Sequence, residues 1–257
     1  MRIDPRRFFE FLFLLMLSMC LAFLYLHHMD SQRAGQLYRE AARLADVSHA
    51  AEPSPAPAPL EVLPETDAGD DAPAGMDLSP LREANADVVG WIEVPGLLSY
   101  PLLQGEDNAY YLSHAWNGEE NAAGAIFLDY RASASLDGSH TLVYGHRMRD
   151  GTMFGGLKHY KDAAFWQENP SVTISNEDGV WQYDIYAAYE TALTAPVYQQ
   201  GLSSPEERQA FIQYGLERSA IDTGITPTAE DKIITLSTCS GSGSDTRWVV
   251  QAVRKQV

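Results

Sequence analysis

Short β-prone runs, separated by turn residues, constrain the fold of this chain more than any other feature. Each run holds four to eight residues, and glycine, proline or charged residues usually lie between one run and the next. The pattern predicts seven or eight strands with mostly antiparallel pairing, in a closed barrel rather than a doubly wound sheet. The predicted strands are 88–94, 100–103, 124–129, 141–144, 171–175, 182–189, 232–238 and 246–253.

A few helices are predicted in the connections. Residues 79–86, 153–160 and 162–168 suit short helices, and residues 204–218 suit a longer one. The longer helix begins with a capping serine, a proline at the first helical position and a glutamate at the third. The side chains that this helix is expected to bury are Phe211, Ile212 and Leu216.

Cys239 stands where one β-prone run ends and a small polar loop begins. The other cysteine, Cys20, lies in an apolar N-terminal segment, so no disulfide can form within the rest of the chain. Arg247 follows at the head of the last run, and pairing of the two strands would return it to the thiol. A thiolate beside a fixed cation is how proteins make a reactive cysteine. The alternatives are a buried bystander thiol and a surface ion pair between Arg247 and Asp245.

A histidine is the expected partner of such a thiol, and the globular part of the chain offers four: His114, His140, His146 and His159. His146 is favoured because, like Cys239, it follows the end of an apolar strand. His140 opens the same strand, about 20 Å from His146 in an extended chain, so only one of the two can approach the thiol. One cysteine with scattered histidines is a weak zinc site, and the sequence has no P-loop or Gly-x-Ser-x-Gly elbow.

The N-terminus predicts a membrane anchor. Three arginines precede an apolar run of 19 residues at 8–26, which is long enough to cross a hydrocarbon core of about 30 Å. Residues 1–29 are therefore predicted as a cytoplasmic tail and a transmembrane helix, with a cleaved signal peptide as the alternative. The globular domain, residues 76–257, would then lie outside the cell.

Residues 30–75 are predicted to connect the anchor to this domain. The first part is expected to be a helical stalk, and the second part is a Pro/Ala/acidic stretch expected to be a disordered linker. Seven acidic residues and no Lys or Arg lie between 50 and 80, within a net charge of −17. Because no basic patch is available to neutralise phosphates, the charge argues against nucleic-acid binding. The apolar face of the stalk helix comprises Leu37, Ala41, Leu44 and Ala45.

Several segments together resemble the sortases, the cysteine transpeptidases of Gram-positive cell surfaces, and class B most closely. The central motif is Thr-Leu-Ser-Thr-Cys at 235–239, with Arg247 shortly before Val-Val. The resemblance covers roughly residues 80–255, in order and with matching spacing. The further matching segments are 85–92, 100–105, 107–112, 124–131, 144–146 and 150–154.

The resemblance implies an eight-stranded sortase barrel with an N-terminal helical extension and a helix before the penultimate strand. It implies Cys239 as the nucleophile, His146 as the general acid and base, and Arg247 as a stabiliser of the oxyanion or substrate. It implies neither a metal nor another cofactor. The residues that it assigns to substrate binding are Asn108, Leu112, Tyr144, Thr191 and Ser237.

The implied reaction is transpeptidation of surface proteins. Cys239 would attack the Thr carbonyl of an NPxTN-like C-terminal sorting signal, and the thioester would pass to an amine of a lipid-linked peptidoglycan precursor. One alternative acceptor is a lysine of a pilin. The alternatives of other classes are a thiol hydrolase and a tethered binding domain with an inert Cys239. Ser240 stands where many class B members have an acidic residue, which affects the expected substrate preference more than the expected catalysis.

Overall fold

The computed structural model describes residues 5–45, 75–239 and 245–256. The loop 240–244 and nearly all of the predicted linker lie outside the described residues. The α-helices are α1 (Pro5–Leu44), α2 (Ser79–Ala84), α3 (Ala163–Glu168) and α4 (Pro205–Arg218). The strands are β1 (Val88–Val94), β2 (Leu98–Leu103), β3 (Ile126–Leu128), β4 (His140–Tyr144), β5 (Ser171–Asn176), β6 (Gly179–Ala192), β7 (Ile233–Cys239) and β8 (Thr246–Arg254).

The eight strands form a closed barrel in the order β1-β2-β3-β4-β7-β8-β6-β5. The predicted mainly β, closed eight-stranded barrel is confirmed. Most neighbours pair antiparallel, but β2–β3 and β4–β7 are parallel. Closure leaves no open sheet edge and lets the strands bury side chains at the centre. Fully buried members of this core include Ile92, Phe127, Ile174, Leu236 and Val250.

The parallel pair β4–β7 determines which residues meet at one end of the barrel. Its register runs from His140 opposite Ile233 to Tyr144 opposite Ser237. Because the strands are parallel, both carboxyl ends lie at the same end of the barrel, which we call the Cys239 rim. On the other side of β7, β8 runs antiparallel and begins at this rim.

The predicted helix at 204–218 is present as α4 and has a full capping box. The Ser204 side chain accepts from the Glu207 N–H, and the Glu207 side chain accepts from the Ser204 N–H. Phe211 and Ile212 are buried as expected, but Leu216 is only half-buried. The reason is that Gly215 faces the barrel, where a Cβ would lie 2.1 Å from Gln251 Oε1, so Leu216 falls at the edge of the contact.

The segment predicted as a helix at 153–160 is instead a 3₁₀ helix, Gly155–Lys161. Met153 precedes it with a φ of 54° and forms an isolated bridge with Arg147. This bridge holds the chain in a tight turn just after the Cys239 rim, so the helical conformation begins two residues later than the apolar pattern indicates.

The C-terminal part of α1 packs on the barrel and does not stand apart as the expected stalk. Trp116 Nε1 donates to Leu37 O at 2.9 Å, and Tyr38 Oη donates to Gly124 O. Leu44, expected on the buried face, is exposed. The spacing of apolar residues was sufficient to predict the helix. The surface that covers its apolar face, however, comes from residues about 80 positions away in the chain. The buried side chains of this part are Ala34, Leu37, Tyr38, Ala41 and Ala42.

Within the described part of the chain, no helix is both long enough and apolar enough to cross a membrane. The anchor predicted at residues 8–26 remains a prediction.

Candidate active site

Three neighbouring strands bring the predicted catalytic residues to the Cys239 rim. Cys239, the last residue of β7, is the register partner of Arg247 on β8. On the other side of β7, Gly145 N donates to Ser237 O at 3.3 Å, and His146 is the next residue. His146 therefore follows the end of β4 at the same end of the barrel as the last residues of β7. The strand pairing predicted between Cys239 and Arg247 is confirmed.

His146 is oriented by a main-chain carbonyl. Its Nε2 lies 2.6 Å from Leu112 O. Since a carbonyl oxygen can only accept, Nε2 holds a hydrogen and donates it. Proton exchange with a neighbouring thiol therefore has to take place at Nδ1. Leu112 was predicted to bind substrate, and its side chain is exposed, but its carbonyl also fixes the tautomer of His146.

Gly124 lets the ring of His146 approach this segment. Its φ is +59°, in the left-handed region that favours glycine. A Cβ at this position would lie 2.6 Å from Tyr111 O and 3.0 Å from His146 Cδ2. Any side chain here would therefore displace the ring or the 3₁₀ helix Tyr110–Leu112, whose last carbonyl holds it.

Arg247 and Thr191 are register partners on β8 and β6. Arg247 is half-buried, and its NH1 donates to Thr246 O at 2.9 Å. Thr191 is only 6% exposed, and its Oγ1 lies 3.0 Å from the hydroxyl of Tyr214 on α4. Thr191, predicted to bind substrate, thus lies in the barrel wall behind Arg247.

Ser237 precedes Cys239 by two residues and is also buried, at 3% exposure. Its Oγ lies 2.9 Å from the hydroxyl of Tyr198. Tyr198 belongs to a 3₁₀ turn, Pro196–Tyr198, in the connection between β6 and α4. Sequence reasoning missed Tyr198 because no motif surrounds it, and only the fold brings it to the rim.

Asn108 and Tyr144, both predicted to bind substrate, meet at a buried carboxylate. Asp129 Oδ2 accepts from Asn108 Nδ2 at 2.9 Å and from Tyr144 Oη at 3.1 Å. Arg131 approaches the same group with Nε and NH2, each at 2.8 Å. Burial alone would raise the pKa of Asp129, but the hydrogen bonds from Arg131 and Asn108 outweigh it and lower the pKa to about 2.

The other three histidines have different contacts from those of His146. His140 is buried at the far end of β4, with Nε2 2.9 Å from Thr235 Oγ1, and burial lowers its pKa to about 4. His114 stacks on Tyr110 and bonds to its carbonyl through Nδ1 at 2.9 Å. His159 lies near Phe165, and partial burial lowers its pKa.

Known proteins are similar to this chain in both sequence and architecture. Residues 92–255 match the model of the Sortase domain family. A sortase B of Listeria monocytogenes is 38% identical over 168 residues, which cover 63% of this chain and 67% of that protein. The solved Staphylococcus aureus sortase B-substrate complex is 32% identical, with a TM-score of 0.66, covering 70% of this chain and 85% of that one. A solved sortase B from B. anthracis in complex with AAEK1 is 29% identical, with a TM-score of 0.73, covering 90% and 100%.

The barrel and the matched domain define a cysteine transpeptidase, and the chain belongs to the sortase family. Within that family it is a class B sortase, since the relatives and structures compared above are sortases B.

Proposed function

We propose that this enzyme cleaves an NPxTN-like sorting signal at its Thr, holds the surface protein as a thioester on Cys239 and transfers it to an amine of a cell-wall precursor. The main support is the adjacency of three strand ends, those that bear His146, Cys239 and Arg247. A nucleophile, a base and a fixed cation on one rigid rim suit acyl transfer.

The acylation step follows from these groups. The Cys239 thiol gives its proton to Nδ1 of His146, and the resulting thiolate attacks the Thr carbonyl carbon. The carbonyl π electrons move to oxygen, where Arg247 offers positive charge. Collapse of this intermediate breaks the C–N bond. The leaving amine takes a proton from Nδ1 of His146, while Nε2–H keeps its hydrogen bond to Leu112 O.

Deacylation reverses these roles. The incoming amine attacks the thioester carbonyl and gives its proton to Nδ1 of His146. The C–S bond then breaks, a new amide forms and the thiolate of Cys239 is regenerated. A solved sortase B is complexed with triglycine, which supports a peptide amine as the acceptor.

We also propose that the N-terminal part of α1 crosses the cell membrane once and holds the catalytic domain at its outer face. In support, the side chains from Leu12 to Ala22 are all exposed, and Phe13 reaches 67%. A run of exposed apolar side chains is unfavourable in water and suits a hydrocarbon core. The chain should remain in the membrane pellet after alkaline carbonate washing, and release by that wash would contradict the proposal.

The reaction is tested with the purified full chain in detergent, in a Cys20→Ala background that leaves Cys239 as the single thiol. Peptides with NPxTN-like signals are incubated with triglycine or with a lysine-bearing peptide, and the products are identified by mass spectrometry. We expect ligation to triglycine, an acid-stable adduct on Cys239 at early times, and neither in Cys239→Ala.

Other outcomes separate the alternatives. Ligation to the lysine peptide in preference to triglycine would favour a pilin-polymerising enzyme. Cleavage that no amine converts to ligated product would indicate a thiol hydrolase. An inert wild-type chain across the peptide panel would favour a tethered binding domain.

A further inference from the structure

Asp129 is a buried carboxylate to which the sequence motif gives no catalytic role. It directly follows β3, and its side chain is 0% exposed. A carboxylate in this position needs compensation for the water that it has lost. Arg131 supplies a bidentate pair through Nε and NH2, together with its own backbone N–H at 3.0 Å from Oδ1.

The remaining contacts of this carboxylate go to two residues to which the resemblance gives a role in substrate binding. Asn108 Nδ2 and Tyr144 Oη both donate to Oδ2. Asn108 lies before β3, and Tyr144 is the last residue of β4, two positions before His146. Asp129 thus joins the loop before β3 to the strand end that leads to His146.

The amide of Asn108 is held from both sides. Its Nδ2 donates to Asp129, while its Oδ1 accepts from Tyr130 N at 3.0 Å. These two bonds fix which end of the amide faces which neighbour. One hydrogen of Nδ2 remains for a further acceptor, such as a peptide carbonyl. Rotation of the amide would place Oδ1 against a carboxylate oxygen, which is repulsive.

Tyr144 is held in the same way. Its hydroxyl donates to Asp129, and its ring lies 5.4 Å from the ring of Phe127 on β3. Because its hydroxyl proton is committed to the carboxylate, the oxygen presents only lone pairs to a ligand. The hydrogen bonds from Arg131 and Asn108 keep the pKa of Asp129 at about 2, so these orientations persist throughout the neutral range.

We propose that Asp129 is a positioning residue for substrate recognition: it fixes Asn108 and Tyr144 in the orientations that bind the peptide backbone of the sorting signal. The inference rests on the proposed function, because it concerns the binding site of that same substrate. Asp129 touches no reacting atom, so its loss should weaken recognition and leave the chemistry of Cys239 intact.

The test is Asp129→Asn in the full chain, with steady-state ligation of the sorting peptide and alkylation of Cys239 by iodoacetamide in the Cys20→Ala background. We expect KM to rise about tenfold, as for the loss of hydrogen bonds to a charged group, with kcat and the alkylation rate within about twofold. A purely structural role would instead reduce the folded fraction, and so kcat, at unchanged KM. That result would overturn the inference.

Two further variants sharpen the test. Tyr160→Phe removes another buried hydroxyl, which donates to Asn169 O at 2.8 Å away from these residues, and should leave KM unchanged. If Asp129 acts through Asn108, Asp129→Asn combined with Asn108→Ala should raise KM little beyond the larger single effect. Multiplication of the two single effects would contradict this route.

Failure of the inference can be distinguished from failure of the proposed function. Peptide binding is measured by fluorescence anisotropy with Cys239→Ala and with Cys239→Ala combined with Asp129→Asn. A wild type that ligates, with equal affinities in these two variants, would overturn only the role of Asp129. A wild type that binds but never ligates, with weaker binding in the Asp129 variant, would overturn only the transfer reaction. Absence of binding by both variants would contradict both.

Discussion

Gly124 can lie beside His146 only because it has no side chain. We expect Gly124→Ala to lower kcat/KM at least tenfold, because the added Cβ would meet Tyr111 O and His146 Cδ2. Gly96→Ala is the matched control, since its φ is also positive, at +71°, but nothing lies within 4 Å of its Cβ. Both variants should lose about 1 kcal/mol of stability from the backbone, and only the first should lose activity. Equal activities would show that His146 tolerates displacement.

His140 should make stability depend on pH. Burial lowers its pKa from 6.5 to about 4, so between these values the unfolded chain binds a proton that the folded chain does not. The free energy of unfolding therefore falls as the pH drops through this window. From pH 7 to pH 5 the loss should be about 2 kcal/mol.

Denaturant unfolding of wild type and His140→Gln at the two pH values measures this contribution. The variant should lose less stability than wild type on acidification. His159→Gln is the comparison: partial burial also lowers the pKa of His159, but its side chain is exposed, so its contribution has the same sign and should be smaller. A wild-type pH dependence that persists in His140→Gln would contradict the assignment.

At the scale of elements, α1 combines an exposed apolar part with a part that packs on the barrel. Leu37 is 8% exposed and Leu44 is 39% exposed on the same helix. Leu37→Ala should therefore cost about 2–3 kcal/mol in unfolding free energy, and Leu44→Ala less than about 0.5 kcal/mol. Denaturant titration of the full chain compares them, and equal small losses would mean that α1 is not packed in solution.

This packing also links α1 to the Cys239 rim. Tyr38 Oη donates to Gly124 O, and Gly124 in turn lies against His146. The ring of Tyr38 meets Tyr100 edge-on at 5.0 Å, and the Tyr100 hydroxyl accepts from Met153 N at 3.1 Å. A fragment that begins at residue 76 would lack this support for the site, so activity is best measured on the full chain.

For the whole molecule, the position of α1 changes the role expected for residues 46–74. This segment joins α1 to α2, and those two helices contact each other, so the segment does not set the distance between α1 and the barrel. We expect deletion of residues 53–68 to leave ligation of a vesicle-attached substrate unchanged. The shorter connection should also raise the free energy of unfolding, by less than about 1 kcal/mol.

Insertion of 16 Gly/Ser residues at the same place is the matched control, and it should also leave the ligation rate unchanged. A spacer that sets the reach of the enzyme would respond to the two changes in opposite directions. Opposite effects on the rate would therefore show that the segment acts as a tether.

Local chemistry in the sequence was enough to predict the barrel and the meeting of its strand ends. Strand periodicity, turn residues and the capping box of Ser204 act over a few neighbours, so they can be recognised without the fold. The pairing of Cys239 with Arg247 follows from the short loop between two adjacent strands. His146 was favoured among four histidines because it follows the end of an apolar strand, as Cys239 does.

The tertiary structure alone decided the contacts between residues distant in the chain. Leu112 O is 34 positions from His146, Tyr198 is 39 from Ser237, and Tyr38 is 86 from Gly124. None of these pairs has a local signature, because each depends on how the closed barrel brings its connections together. The same holds for the burial of Asp129 and for the hydrogen bonds that it accepts from Asn108 and Tyr144, which exist only once the loop before β3 and the end of β4 have assembled.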